Sequence, residues 1–255
     1  EVGSRLIRRF EGQQLTVDVE PDIYDTTSQN VHAELGPDTD EEVLVTSHVD
    51  AHDIAEGAMD NGAGTAMVVE LAKALATRED ELETKVHFIA YGAEEVGLVG
   101  SSVDSRSRDH DSIRTVLNFD GVVRGRTLSF TTHGFEPLAD VAEAVTDRFT
   151  HPGYVEPQQG PHSDHWPYVQ WGVPGIHVMS RTGESGRGWG HTFADTLDKI
   201  EPRNLREQAI LLTELAVDLA AADFEVEHAD PEFIAERLEA EGLAESMKVM
   251  GDWPY

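Results

Sequence analysis

The chain of 255 residues carries 49 acidic against 19 basic side chains, a formal net charge of −30 at pH 7, and it contains no cysteine. Such a surface repels nucleic acid and anionic membrane. The lack of cysteine removes disulfides, thiolate metal sites and a cysteine nucleophile together, so any metal falls to His, Asp and Glu, which suits zinc, manganese or cobalt. A hydrophobic fraction of 39% supports a core for one large α/β domain, or for a domain with a small appendage.

No apolar run approaches membrane-spanning length, and no secretory leader opens the sequence. The start at Glu1 rather than Met fits an excised piece with a part lost upstream. Location stays open between secretion and the cytoplasm of a high-salt organism, and so does the oligomeric state. Disorder is the bland explanation of high charge, but regular apolar periods run through most of the chain. With only four lysines (Lys73, Lys85, Lys199, Lys248), the surface reads as adapted to high salt, where counterions screen self-repulsion.

In chain order, Leu6, Ile7 and Phe10 at helical spacing predict a short amphipathic helix within 1–13. Leu15-Thr16-Val17-Asp18-Val19 alternates as a strand does, with Val31–Leu35 as a plausible neighbour, and Gly36-Pro37-Asp38 turns the chain into a central strand at 43–47. The apolar positions Met67, Val68, Leu71, Ala74 and Leu75 predict a helix over 63–77. Buried strands follow at 86–91, 116–120 and 128–131, then a helix at 135–149. Residues 151–163, rich in Pro, Gly and Gln, read as a loop. Another buried strand stands at 175–179, a glycine-rich loop at 181–190, and Pro202 opens a long helix. Strands alternating with helices predict a mostly parallel, mixed sheet sandwiched by helices. Residues 1–222 read as one domain, and 223–255 as an acidic tail with a helix at 231–242.

The central strand ends in His48-Val49-Asp50. Residues two apart share one side of an extended chain, so Asp50 can hold one ring nitrogen of His48 while the other meets a metal. Asp60 lies in the loop before the next helix, at the edge where ligands gather in open α/β sheets. The second strand runs into Glu94-Glu95 and the third into Asp120, while His191 sits in a glycine-rich loop. In a parallel sheet those strand ends face one way, so two histidines and several carboxylates can converge as a dinuclear metal site in outline. Adjacent glutamates suit a division in which one binds metal and the other moves protons. There is neither an H-E-x-x-H helix nor a G-x-S-x-G elbow.

The ordered set His48-Val49-Asp50, Asp60-Asn61-Gly62, Glu94-Glu95, Asn118-Phe119-Asp120 and His191-Thr192-Phe193-Ala194-Asp195-Thr196 resembles the M28 co-catalytic zinc peptidases of aminopeptidase type. Ser163-Asp164-His165 and Gly172-Val173-Pro174 share the likeness, which covers roughly 14–222. The resemblance implies the zinc-dependent exopeptidase fold and a hydrolase acting on peptides. It further implies two zinc ions per chain, one on His48 and Asp120, the other on Glu95 and His191, with Asp60 bridging. Glu94 would then be the general base, Asp50 would sit behind His48, and a cis peptide would follow Asp60.

Several family aminopeptidases carry a tyrosine before the last metal histidine to help hold the oxyanion, where this chain has Gly190; His165 and Tyr168 are the candidates to replace it. His52 reads as a loop or pocket residue rather than a ligand, and His87 as a hydrogen-bonded core residue. His133 reads equally as pocket or packing, and Trp166, Trp171 and Trp189 flank the loops. A carboxypeptidase or dipeptidase on the same scaffold needs a cation for the substrate carboxylate, and Arg181 and Arg187 are the candidates. A binding module that had lost catalysis would lack ligand positions, and none is missing here.

Overall fold

The computed structural model describes residues 2–22, 24–183 and 188–255. Among these, seven strands form one sheet: β1 (Val31–Leu35), β2 (Glu42–His48), β3 (Lys85–Tyr91), β4 (Ile113–Phe119), β5 (Leu128–Thr131), β6 (Gly153–Glu156) and β7 (Gly175–Ser180). They lie in the order β1-β3-β2-β4-β7-β5-β6. The run β3-β2-β4-β7 is parallel, β1 joins β3 and β5 joins β7 antiparallel, and β5 and β6 are parallel.

The central strands are apolar at consecutive positions because both of their faces are buried. Val43 and Val45 point into the larger core with Val86, Phe88, Leu117 and Phe119, while Leu44 turns to the opposite face with Ile89, Tyr91 and Val116. Helices α2 (Ala63–Ala76), α4 (Glu136–Phe149) and α6 (Pro202–Leu219) cover the first face. On α2 the side chains Met67, Leu71 and Leu75 are fully buried, each stabilising by about 1.5–3 kcal/mol. The short α5 (Trp166–Val169) contributes Tyr168 to the second face, with α3 (Val99–Ser107) beside it through a Ser105 hydroxyl bond to the Pro167 carbonyl.

Helix α7 (Pro231–Ala240) and helix α8 (Ala244–Met250) are seated on the larger core by Ile234, Leu238 and Met247. The ring of His228 also bonds the Ile113 carbonyl, and the Ala229 N–H donates to the Gly172 carbonyl.

Several elements differ from the sequence reading, the short helices α5 and α8 among them, which it does not place. The alternating stretch Leu15–Val19 forms no strand, and Val17 and Val19 are exposed; alternation gives a strand one apolar face, but without a neighbouring ladder the extended form is not stabilised. The 151–163 loop contains β6, a four-residue strand whose pairing with β5 outweighs its turn-rich flanks. Helix α3 carries no apolar period (Ser101, Ser102, Asp104, Ser105, Arg106), so periodicity gives no sign of it. The amphipathic helix α1 (Val2–Phe10) forms as expected, though Ile7 and Phe10 stay exposed.

Candidate metal centre

Parallel register brings the predicted donors to one edge. His48 pairs with Tyr91 of β3, and Thr46 pairs with Asn118 of β4, which sets Asp120 level with His48 and the Glu94-Glu95 turn just beyond Tyr91. The two strand ends are pinned together from inside, since the Thr46 hydroxyl donates to Asn118 Oδ1 at 2.7 Å. The Thr65 hydroxyl, in the first turn of α2, holds the His48 carbonyl at 2.7 Å.

His48 is fully buried. Its Nδ1 lies 3.0 Å from the Asp50 carbonyl oxygen, which can only accept, so Nδ1 carries a proton and Nε2 is turned toward the carboxylates. Nε2 lies 3.5 Å from Asp60 Oδ1, 3.7 Å from Asp120 Oδ1 and 4.0 Å from Glu94 Oε2, and it has no hydrogen-bond partner. Burial by itself lowers a histidine's hold on its proton, but Asp120, Asp50 and Asp60 overcome that and raise His48 well above the usual imidazole range. Asp120, half-buried, is conversely held below the usual carboxylate range, chiefly by His48.

Asp60 sits in a turn that crosses the mouth of the sheet. Its peptide bond to Asn61 is cis. The Asn61 amide donates to the Phe119 carbonyl at 2.8 Å and accepts from Gly64 N–H at 3.1 Å. A side chain at Gly64 would come within 2.4 Å of both partners, so only glycine lets the start of α2 close on that amide. The Asp195 carboxylate accepts the N–H groups of Met59 (2.7 Å) and Asp60 (3.0 Å). So fixed, Asp60 aims Oδ1 at His48 and Oδ2 at His191 Nε2, 3.3 Å away.

The second pole is built on Glu95, whose Oε2 lies 3.1 Å from His191 Nε2 while its Oε1 is buried without a partner. Burial raises the Glu95 carboxyl above its ordinary range, and the nearby charge of Asp60 adds to this. Burial likewise pushes Glu94 up to about 8. Orphaned buried donor atoms and crowded carboxylates leave negative charge without enough cation to match it. The atoms themselves suit zinc: imidazole nitrogens and carboxylate oxygens gathered within donor distance of one another.

Asp50 is arranged differently from the expectation. Its carboxylate accepts the backbone N–H groups of Glu94 (3.0 Å) and Glu95 (3.2 Å) and stands 3.6 Å from His48 Nδ1, so the nearer partner of the ring is Asp50's own carbonyl. The two amides compete better for the carboxylate, which thereby steadies the glutamate turn as well as the histidine.

Beside these groups opens a cavity of about 560 Å³. Its other walls include Arg124, Ser129, Thr131, Glu156, His162, His177 and Arg181. His165 and Tyr168 do not reach it. His165 is fully buried, bonds the Gly160 carbonyl at 3.0 Å and stacks on His177, while the Tyr168 hydroxyl bonds Asp104 and Tyr91 behind the sheet. Tyrosine on an otherwise apolar helix face points into the core and takes its polar partner there. Arg181 does line the cavity, but Glu156 is its ion-pair partner and the Tyr154 ring lies against its guanidinium. Arg187 lies outside the described residues.

His133 is buried between His165 and Trp166. Trp166 belongs to the core and Trp171 packs on Tyr255, so only Trp189 stands near the site, in a side cleft with Met59 and Arg124. His87 bonds Glu42 in a buried network with Arg108, as a core histidine.

Arg124 and Gln208 give no sign in sequence, and His52 and Asp195 are visible there without their partners. Arg124 lies 3.2 Å from Asp60 Oδ2 and 3.7 Å from Asp120. Buried Gln208 of α6 holds its loop, accepting from Val123 N–H and donating to the Gly125 carbonyl. His52 brings Nε2 to 3.0 Å from Glu95 Oε2. Asp195 stood in the quoted His191–Thr196 stretch, but nothing in that pattern says which amides it holds.

The family model of peptidase family M28 matches residues 30–216. The aminopeptidase YwaD of Bacillus subtilis is 29% identical over 226 residues, 81% of this chain and 49% of that protein. Among solved structures, an aminopeptidase from Aneurinibacillus sp. strain AM-1 superposes with a TM-score of 0.65 at 28% identity, over 79% of this chain and 50% of that one. BSAP, a zinc aminopeptidase from Bacillus subtilis, shares the fold with a TM-score of 0.69 at 24% identity, over 78% of this chain and 52% of its own. The chain thus spans about half the length of the curated relatives it matches. Among the described residues no helix is long and apolar enough to cross a membrane.

Proposed function

This chain belongs to peptidase family M28, and from that premise we propose that it is a two-zinc aminopeptidase releasing N-terminal residues from peptides. One observation carries the reading: Asp60 offers one carboxylate oxygen to His48 and the other to His191. It thereby joins the set His48 and Asp120 to the set Glu95 and His191. Those five residues would hold the ions, with manganese or cobalt as substitutes. Bound zinc would supply Lewis acidity, polarising the scissile carbonyl and letting water ionise near neutral pH.

The remaining chemistry belongs to the chain. Glu94 Oε2 faces the His48 side of the pair, 4.0 Å from His48 Nε2, while its backbone N–H is fixed by Asp50. It takes the proton of the attacking water and returns it to the leaving amine. A carboxyl whose burial already favours the protonated form suits that exchange. Asp50 keeps Glu94 and Glu95 in register with His48. Glu94 and Asp120, both on the cavity wall, give the substrate's ammonium its counter-charge. On this reading residues 1–222 form the catalytic domain, and 223–255 an appendage packed on it.

A carboxypeptidase or dipeptidase would need a free cation to clamp a terminal carboxylate. Among the described residues the two arginines on the cavity wall are each engaged, Arg181 by Glu156 and Arg124 by Asp60, which favours the amine end. The test compares an aminoacyl chromogenic amide with its N-acetylated twin in molar salt. Turnover of the free-amine substrate alone, lost on chelation and restored by zinc, is the expected result. Inactivity on both substrates with two metals bound would overturn the aminopeptidase reading.

A further inference from the structure

We propose that His52 is a fourth protein ligand at the Glu95–His191 pole, so that the two poles are unequal, one closed and one open. This rests on the two-metal reading above and deepens it. His52 Nε2 and His191 Nε2 approach the same oxygen, Glu95 Oε2, at 3.0 and 3.1 Å. Asp60 Oδ2 stands beside this trio, 3.3 Å from His191 Nε2. Donors on a tetrahedron with metal–ligand bonds of about 2.0–2.1 Å lie roughly 3.3–3.4 Å apart, so these separations need little adjustment to hold one ion.

The two imidazole rings are set edge to face, with centroids 4.2 Å apart and planes at 68°. That arrangement lets both Nε2 atoms turn toward Glu95 without the rings colliding. His52, Glu95 and His191 form one compact trio of donors, and His48, Asp60 and Asp120 form another. With Asp60 shared, the Glu95–His191 pole counts four protein donors and the His48–Asp120 pole counts three.

Zinc sites with four protein ligands are closed and structural, whereas those with three keep a position for water or substrate. The His52 pole therefore binds zinc more tightly and retains it, and the His48–Asp120 pole is the exchangeable one facing Glu94. A competing role for His52 is simple support, its ring donating a hydrogen bond to Glu95. Glutamine preserves that donor but is a poor zinc ligand, so it separates the two roles.

The experiment is calorimetric titration of zinc into the chelator-stripped full chain, for wild type, H52Q and H52A. The cobalt-loaded proteins are compared by visible absorption in parallel. Wild type is expected to bind two equivalents in two steps. Both variants are expected to lose at least about 100-fold in the tighter step, the upper end of what loss of a supporting residue alone costs. The weaker step should stay as in wild type, and the intense four-coordinate cobalt bands of the first equivalent should fade in both variants. H52Q binding both equivalents as wild type does would overturn the inference, leaving His52 as support for Glu95 if H52A alone is weakened. Wild type binding fewer than two equivalents would defeat the two-metal reading itself, and this inference with it.

Discussion

Asp195 carries a load out of proportion to its distance from the chemistry. Its carboxylate is buried and accepts two N–H groups, from Met59 and Asp60, themselves on buried residues. In Asp195→Ala both donors lose their partner inside the protein. A buried donor left unmatched costs about 1–3 kcal/mol, so the pair should cost about 2–6 kcal/mol. That is a large part of an ordinary domain's total of about 5–15 kcal/mol. Asp195→Asn keeps one acceptor oxygen and should cost about half as much. Urea unfolding of the zinc-free protein in molar salt reads this directly, as a lower midpoint at unchanged slope. Zinc titration of the same variants should show both binding steps weakened, since the turn that fixes Asp60 serves both poles. If Asp195→Ala unfolds within about 0.5 kcal/mol of wild type, as an ordinary surface substitution would, the Asp195 bonds do not hold the turn and the reasoning fails.

Other expectations follow from neighbouring groups. Glu94→Gln should lower kcat by at least about 100-fold while two equivalents of zinc still bind; activity within tenfold of wild type would remove Glu94 as the proton carrier. Asp164 is fully buried, neither of its oxygens has a hydrogen-bond partner, and burial pushes its carboxyl up to about 7 from an ordinary 3.8. Between those values the folded state keeps a proton that the unfolded state has lost, so stability falls as pH rises, by on the order of 4 kcal/mol in all. Asp164→Asn should flatten that slope, with its advantage over wild type growing from pH 4 to 7; parallel curves would refute it. The net charge of −30 makes self-repulsion large at low ionic strength. The unfolding midpoint should therefore climb from low to molar salt, and a flat profile would count against adaptation to high salt.

Much of the centre was legible in the chain. His48, Glu94, Glu95 and Asp120 each stand just past an apolar run, and a run buried on both faces is a parallel strand whose end opens on the ligand edge. Positions set by local pattern came through for that reason: the gathering of those side chains at one sheet edge, the helix of Met67, Leu71 and Leu75, and Pro202 at the head of α6. What failed were readings that needed to know a neighbour. Leu15–Val19 had the alternation of a strand but no partner, and β6 formed because β5 lay beside it. His165 and Tyr168 sat close to the motifs in sequence yet turned into the core.

By itself the sequence determined the central strands and the long helices, the polar side chains at their ends, and the family to which they belong, because these follow from residue type and spacing along one chain. Only the tertiary structure decided that Asp195 and Gln208 brace the loops carrying Asp60 and Arg124. It alone brought His52 to Glu95, and it alone set Arg181 against Glu156. Each of those is a contact between segments distant in the chain, fixed by sheet register and loop closure, and no local pattern encodes which partner a polar side chain will meet.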